Sequence, residues 1–580
     1  MPKKEHFRPN WYEDVTPAGT YRSLIKWGDP AGIKHPNSGL VRLIMDKFHL
    51  TEADLSAPIN LSLEPVEDNL PCRLPAEHLA FFRDLCGEEN VRTDAYARIS
   101  RSYGKGMLDA LRLRRKIVEN LPEIVVSPRS RDEIVRLVAY ASEHRIPVTV
   151  FGGGSTVTRG MEATLGGICV DMSKHMNRVI AFNETDQTIT VEAGMSGPKL
   201  EALLNNAVRE FGAARAYTCG HFPQSFEYSS VGGWIVTRGA GQNSTYYGKI
   251  EDLVIAQDYV TPIGDFRTCP QPRAATGPDF DQVMMGGEGA FGILVSATLR
   301  VFRYMPENRK RFSYMFRNWE EAQAACREIM QAEIGFPSVF RLSDPEETDV
   351  AMKLYHIEGT AADALLQKFG YQPMQKCLFL GFTDGEKGFC ANLDRKIRRI
   401  CRKYHAFELS LFGVTKRWEK DRFRDPYLRE DLQDFGVLID TLECAVTWEQ
   451  MPRVHAEVRE FVKKRPDTVC MTHLSHAYPQ GGNLYFIFIA RIGTIKEYLQ
   501  LQYGILEAIA KSGAAISHHH GVGKQTAPWL EETIGKAQMD VIRTLKKHFD
   551  PHNIMNPGGT LGLDMTAEQA EKRWSMDLEG

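Results

Sequence analysis

Residues 221–253, HFPQSFEYSSVGGWIVTRGAGQNSTYYGKIEDL, constrain this chain more than any other stretch. Ser229, Ser230, Gly232, Gly233, Thr237, Gly239 and Gly241 crowd around the aromatic Trp234. Glycines let the backbone approach a large flat ligand and supply the positive-φ turns that such an approach needs. Hydroxyls and exposed backbone amides suit a pyrophosphate. Two more stretches share this character: VFGGGST from Val150 to Thr156, and GGEGAFGI from Gly286 to Ile293. One glycine-rich loop is weak evidence. Three of them, each beside β-branched runs, predict one dinucleotide held by several loops rather than by a single strand–turn–helix.

At 580 residues the chain is too long for one ordinary core, and roughly two to four domains are expected. A composition of 43% hydrophobic and 25% charged residues is that of a soluble globular protein, and a net charge of −3 gives no reason to expect nucleic acid as a partner. No apolar run approaches the ~20 residues that span a bilayer. The opening, MPKKEHFRPNWYEDV, has no apolar core after its lysines and is not read as a secretory signal. The 11 cysteines are scattered without a C-x-x-C pair, which fits reduced, mostly buried thiols in the cytoplasm. Arg42-Leu43 and His49-Leu50 match a peroxisomal address of the R-L-x5-H-L kind. The preferred reading is the buried face of a short helix, made by Leu40, Leu43, Ile44, Phe48 and Leu50. The final DLEG is not a peroxisomal tripeptide.

Four regions follow from the pattern along the chain. Residues 1–118 mix Pro-rich loops with helical pieces, the clearest near Lys105–Asn120 with an apolar stripe through Met107, Leu108, Leu111, Leu113 and Ile117. Residues 119–303 alternate strand and helix: Ser130 caps a predicted helix over Arg131–His144, and Pro147 opens the strand that delivers the triple glycine. Residues 304–510 read as a second α+β domain. It has strands at FSYMFRN, SVFRLSD, CLFLGFTDG and LYFIFIAR, a basic helix near 388–404, and a last helix ending at Gly513. Residues 511–580 carry a histidine cluster, a helix and DPHNIMNPGG.

The second informative motif is SHHHGVGK, from Ser517 to Lys524. Histidine exchanges its proton near neutral pH, so His518, His519 and His520 together can supply a base, an acid and an anion contact. Metal binding is the weaker reading. In a strand, adjacent histidines alternate faces, and no acid or thiol lies nearby in sequence. Tyr485 is a core aromatic or a reacting hydroxyl on spacing alone. Arg341, ending an apolar strand, either pairs with a carboxylate such as Asp344 or awaits an anionic ligand, and Arg273 is similar. Trp234 and Trp448 are read as packing. The basic run 387–405 is read as a solvated helix face, with a membrane-surface role as the alternative.

The order GGGST, PQSFEYSSVGG, GKIEDLV, GGEGAFGIL, SHHHGVGK, DPHNIMNP resembles the FAD-linked oxidases and transferases with a p-cresol-methylhydroxylase-type flavin domain. Within that group the likeness is to the alkyldihydroxyacetonephosphate synthases, the flavoenzymes of ether-lipid synthesis. It runs from about residue 20 to 560. The implied fold is α+β: a two-part FAD-binding domain at 119–303, a substrate or cap domain at 304–510, and helical N- and C-terminal regions. The implied cofactor is FAD. No histidine in the GGGST loop offers a covalent tether, which favours non-covalent binding.

By the same resemblance, the FAD site would be built by Val150, Phe151, Gly152, Gly153, Gly154, Ser155 and Thr156; by Pro223, Gln224, Ser225, Phe226, Glu227, Tyr228 and Ser229; by Val236, Thr237, Arg238 and Gly239; and by Glu288, Gly289, Ala290, Phe291, Gly292, Ile293 and Leu294. Tyr485, His518, His519 and His520 would be catalytic, Arg341 would bind the substrate phosphate, and Arg273 would shape that pocket. The implied reaction exchanges the acyl group of acyl-dihydroxyacetone phosphate for a fatty alcohol through an adduct at flavin N5. Such enzymes often form homodimers and work at a membrane surface.

The chain departs from the eukaryotic synthase pattern in reading GHFPQS rather than GHEPDS and in carrying Phe291 where leucine is more usual. LECAVTW at 442–448 resembles bacterial family members. The alternative activity is an FAD-dependent 2-hydroxy-acid dehydrogenase or oxidase, with Arg341 or Arg273 on a carboxylate. A non-catalytic flavin-binding scaffold is disfavoured by the histidines and Tyr485.

Overall fold

A computed structural model describes residues 15–571. The readings of the first 14 residues and of the DLEG end fall outside the described residues. Three larger sheets organise the chain. The first has four strands in the order Val91–Arg92, Ile124–Val126, Ile168–Asp171, Val148–Phe151, the last three parallel. The parallel strands are buried and β-rich, as strands covered on both faces must be. The helix Arg131–Glu143 covers one side, capped by the Ser130 hydroxyl and burying Ile134, Leu137, Val138 and Ala141. The second sheet is antiparallel, in the order Val179–Asn183, Thr188–Glu192, Ile293–Arg300, Val254–Thr261, Gly264–Arg267. Both sheets share one apolar core, to which Val148, Val191, Trp234 and Ile293 belong.

The third sheet has seven antiparallel strands in the order Phe407–Glu408, Lys310–Phe316, Cys377–Thr383, Val339–Ser343, Val469–Tyr478, Gly481–Arg491, Val437–Thr447. Helices Trp319–Gln331, Met451–Lys463 and Ile495–Lys511 pack into its core around Phe312, Phe379, Phe486 and Phe488. The basic helix, Lys387–Lys403, buries Cys390, Leu393, Ile397, Ile400 and Cys401, so its cations face outward as the charge pattern requires.

The C-terminal segment returns to the first sheet. Met555 pairs with Val148, through Val148 N–H donating to Ile554 O at 2.7 Å and Asn556 N–H to Val148 O at 2.8 Å. This return places the tail beside the triple-glycine loop.

Two sequence expectations change in detail. The helix near Lys105–Asn120 is shorter, Met107–Arg114, because Lys116 sits at φ 58°, outside the helical region. It has no polar face. Arg112 and Arg114 are buried and paired with Glu162 and Asp434. In the address-like stretch, Leu40, Leu43, Ile44, Phe48 and Leu50 are buried on and just beyond the helix Ser38–Phe48, so both leucines of the motif lie in the core. The cysteines are free, and all but Cys72 and Cys269 are buried. Among the described residues no helix is long and apolar enough to cross a membrane.

Candidate active site

The histidine motif is a loop of bends rather than a strand. Its shape is explained by one carboxylate. Glu443, on the strand Val437–Thr447, accepts from the Ser517 hydroxyl at 2.8 Å and from the amides of His518, His519 and His520 at 2.7, 3.1 and 3.0 Å. Successive amides can converge on one anion only when the backbone curls into a nest, which a strand cannot do. The expectation that the histidines alternate faces is therefore corrected. The acid that sequence proximity lacked is also present, because Glu443, His518 and His519 lie close enough to share an ion. Four donors already occupy the Glu443 oxygens, which disfavours that use.

The rings gather on one face of the seven-stranded sheet. Tyr485 is the register partner of both Glu443 and His473, so all three point the same way. The Tyr485 hydroxyl donates to Thr441 Oγ1 at 3.0 Å and lies 3.5 Å from His520 Nε2. Its ring stacks on His473 and His519 with centroids 4.9 and 5.9 Å apart. His518 Nε2 is 3.0 Å from the Tyr478 hydroxyl, and His518 Nδ1 is 3.1 Å from His519 Nδ1. His476 packs against His518 and His519 and meets Ser244 Oγ at 2.7 Å. Lys249 Nζ donates to the His518 carbonyl at 2.8 Å.

Burial first, and then the charges of Lys249 and of neighbouring imidazoles, push His518 and His519 well below the ordinary histidine value. Burial also lowers His520, against the opposing pull of Glu443 and Asp440. The trio is thus uncharged at neutral pH and able to accept protons. Burial pushes the Tyr485 hydroxyl up to about 12, so it stays protonated and can donate.

Arg341 pairs with Glu347 at 2.6 Å, not with Asp344, and its other nitrogen donates to His473 Nε2 at 3.1 Å. Asp344 is taken by Arg459 and His455. His473 Nδ1 lies 3.1 Å from the same Glu347 oxygen. Burial alone would raise the Glu347 carboxyl, but Arg341 and His473 hold it down at about 2. Arg341 therefore belongs to the wall that carries Tyr485. Arg273 does not. It is exposed on the loop after Gly264–Arg267, and no bond to the histidines is seen among the described residues.

The glycine loops meet this wall from the other sheets. The Gly153 position abuts Tyr228 O and Ser229 Cα so closely that a Cβ would collide, and Gly152 sits equally tight on Ser230 Oγ. Ser229 Oγ accepts from Trp234 Nε1 at 2.8 Å, and Ser230 caps the helix Val231–Val236. Gln224 and Gln242 join side chains at 2.9 Å, while Glu227 accepts from the Tyr427 hydroxyl at 2.7 Å. Ala290, Phe291, Ile293 and Leu294 turn into the core, so a ligand would meet these residues by their backbone.

Glu288 is different: its buried carboxylate accepts from the Val522 and Gly523 amides at 2.6 and 2.7 Å, just past the histidines. Burial raises it to about 7. Buried polar atoms in these loops, both His221 nitrogens and the Tyr228 hydroxyl among them, have no hydrogen-bond partner among the described residues. Close-packed glycine backbone with unspent polar groups beside it is what a large planar dinucleotide requires, so the residues fit a flavin nucleotide.

Glu443, His473, His476 and Lys249 escaped sequence reasoning. Only the alternation in THLSHAY, which sends His473 and His476 to opposite faces in an unbroken strand, hinted at a strand with chemistry. The irregularity between Ser475 and Tyr478 brings His476 back to the site.

Two family models match: "FAD binding domain" over residues 122–270 and "FAD linked oxidases, C-terminal domain" over 305–560. The alkyldihydroxyacetonephosphate synthase of Dictyostelium discoideum is 29% identical over 513 residues, 84% of this chain and 82% of that protein. A solved structure of alkyldihydroxyacetonephosphate synthase superposes with a TM-score of 0.78 at 25% identity, covering 93% of this chain and 99% of that one. p-Cresol methylhydroxylase with bound substrate superposes at 0.64 with 16% identity, a likeness of fold.

Proposed function

We propose that this chain, which belongs to the FAD-linked oxidases, exchanges the acyl group of acyl-dihydroxyacetone phosphate for a fatty alcohol. Its relatives are named alkyldihydroxyacetonephosphate synthases, and the exchange is what that resemblance implies. The exchange releases a fatty acid and leaves the oxidation level of the ketone phosphate unchanged. The observation that carries the reading is the convergence of Tyr485 with His519 and His520 on a loop gripped by both Glu443 and Glu288. A 2-hydroxy-acid dehydrogenase needs one base and a carboxylate contact. Here three uncharged imidazoles share one wall with a tyrosine and an arginine.

FAD, when bound, supplies an electrophile and electron sink. The residues of Val150–Thr156, of Pro223–Ser229 and Val236–Gly239, and the backbone of Glu288–Leu294 would hold it. The protein's own groups then have separable tasks. An imidazole of the trio, kept neutral by burial, takes the proton from the carbon that bears the acyloxy group. The Tyr485 hydroxyl, kept protonated, donates to the developing oxygen charge. Arg341, with His473 beside it, faces the phosphate. Burial of the whole wall excludes water that would compete with the alcohol.

Contact with a membrane surface and a homodimer complete the proposal. Leu411 and Phe412 are 96% and 68% exposed, beside the helix Val414–Asp421 with its cations Lys416, Arg417 and Lys420. Apolar tips beside cations suit an anionic lipid surface, where the substrates reside. Incubation with labelled hexadecanol and the acyl ketone phosphate, without an electron acceptor, tests the activity.

A further inference from the structure

The segment 517–523 is held at both ends by buried carboxylates, one from the seven-stranded sheet and one from a glycine-rich loop. On its near side Glu443 takes the Ser517 hydroxyl and the amides of residues 518, 519 and 520. On its far side Glu288, projecting from the glycine-rich 286–292 loop, takes the amides of Val522 and Gly523. Between them sits Gly521 at φ 81°, where a Cβ would press on Glu288 Oε1. The grip continues downstream: Lys524 Nζ donates to Asn556 Oδ1 at 2.7 Å, and Asn556 Nδ2 donates to the Glu288 carbonyl at 2.7 Å and the Gly160 carbonyl at 2.8 Å. Glu288 itself occupies φ 47°, a left-handed conformation that a non-glycine residue adopts only when its surroundings demand it.

This geometry has a purpose that packing alone would not give. The loop lies where the seven-stranded sheet faces the glycine loops, and apolar side chains could have filled that space without buried charge. Buried carboxylates are costly unless fully hydrogen-bonded. Together they hold the loop by its backbone amides and the Ser517 hydroxyl, so that the imidazole rings are left to face one another, Tyr478 and Tyr485.

We propose that Glu443 and Glu288 are positioning residues for the reaction, a two-carboxylate clamp that fixes the histidine loop simultaneously to the sheet bearing Tyr485 and to the flavin-binding loops. Neither touches substrate. They set the distance between the imidazoles and the flavin, a distance no single sheet determines. The inference rests on the proposed use of the histidines in the exchange reaction. The charged and titratable groups facing the loop are Glu443 and Glu288 themselves, Asp440, His473, His476, Tyr478 and Tyr485 from the sheet, Lys249 and His221 at its side, and Lys524 downstream. Burial lowers all three imidazoles; Glu443 and Asp440 oppose this at His520, whereas neighbouring imidazoles and Lys249 add to it at His518 and His519.

The test compares the unmodified FAD-bound enzyme with Glu443→Gln, Glu443→Asp, Glu288→Gln and, as reference, His519→Ala. Flavin content, KM for the acyl ketone phosphate, kcat and the pH profile of kcat are measured for each. Glu443→Gln turns one accepting oxygen into a carboxamide NH2 that faces the loop's donors, and is expected to keep flavin and KM within about twofold while kcat falls about 10²-fold. Its acid limb moves to lower pH, because the charge that raises His520 is gone. Glu443→Asp keeps the charge but cannot reach all four donors, so kcat falls with the acid limb in place. Glu288→Gln lowers kcat with KM unchanged.

Full kcat in both Glu443→Gln and Glu288→Gln, beside an inactive His519→Ala, overturns the clamp. A fully active His519→Ala instead overturns the use of the histidines. Should Glu443→Gln fail to hold flavin, the Glu443→Asp and Glu288→Gln results decide by the same criteria.

Discussion

Glu443 and Tyr485 are direct cross-strand partners, so the anchor of the histidine loop and the hydroxyl that meets it rise from one register position of the sheet. The Glu443 carboxylate holds the backbone of His520, and the Tyr485 hydroxyl lies 3.5 Å from that residue's Nε2. The loop can therefore shift relative to Tyr485 only by breaking bonds to Glu443. This couples the geometry of acid and base more tightly than two independent side chains would be.

Replacement of His519 by alanine, or of Tyr485 by phenylalanine, should leave a yellow, flavin-bound protein with turnover reduced by about 10²–10⁴-fold. The visible absorption spectrum and the rate of alcohol incorporation check this together. Loss of flavin from both variants would assign these residues to folding.

Arg341→Met should act on substrate affinity. Loss of a charge-assisted contact is worth about 1.5–3 kcal/mol, or about 10–100-fold in kcat/KM. The increase is expected in KM for the phosphate-bearing substrate, with flavin content unchanged. The variant also frees Glu347, so Arg341→Met with Glu347→Gln should bind substrate better than Arg341→Met alone.

Stability should fall on mild acidification. His221, held at about 3 by burial, and His473, His476, His518, His519 and His520 all have folded values below the ordinary 6.5. Below 6.5 the unfolded chain binds protons that the folded chain refuses. Their contribution is complete above that value and is lost as pH falls beneath it. Glu288 opposes this: raised from 4.5 to about 7, it stabilises at low pH and loses that contribution as pH rises through about 7. Asp109, raised by burial to about 6, opposes it too. Six imidazoles outnumber these two acids, so the urea midpoint should drop between pH 7.5 and 5.5, and His221→Phe should reduce the drop.

Gly153→Val should abolish flavin binding, because a side chain there collides with the Tyr228–Ser229 backbone and displaces the loop. Flavin released by heating the purified protein, relative to protein concentration, measures it.

Leu411→Asp with Phe412→Asp should weaken sedimentation with phosphatidylserine vesicles while leaving turnover of a detergent-dispersed substrate intact. Unchanged sedimentation would remove this tip from the membrane proposal.

The glycine loops and the histidine trio were legible in the chain because each is written in contiguous residues whose chemistry is unusual for a core, whereas Tyr485, in an apolar strand, was singled out only by the family resemblance. The strand carrying Tyr485 and the basic helix Lys387–Lys403 were legible through apolar periodicity. What organises the site was not. Glu443 stands more than 70 residues before the amides it binds and Glu288 more than 230, and although Glu288 sits in a glycine motif, nothing local marks either as the acceptor of those amides. The partner of Arg341 was misjudged for a related reason. Asp344 is nearer in sequence, but it caps the helix Pro345–Leu354, while Glu347, within that helix's first turn, returns to the arginine. The pairing of Met555 with Val148 had no sequence signal at all, since a single parallel bridge leaves no periodic trace.

The most direct measurement is transfer of labelled hexadecanol by the purified flavin-bound protein, under anaerobic conditions and without an electron acceptor, with acyl-dihydroxyacetone phosphate as the other substrate. The account predicts a labelled phosphate-bearing ether, one fatty acid released per alcohol incorporated, and a flavin that ends oxidised. No incorporation, together with bleaching of the flavin by a 2-hydroxy acid, would contradict it.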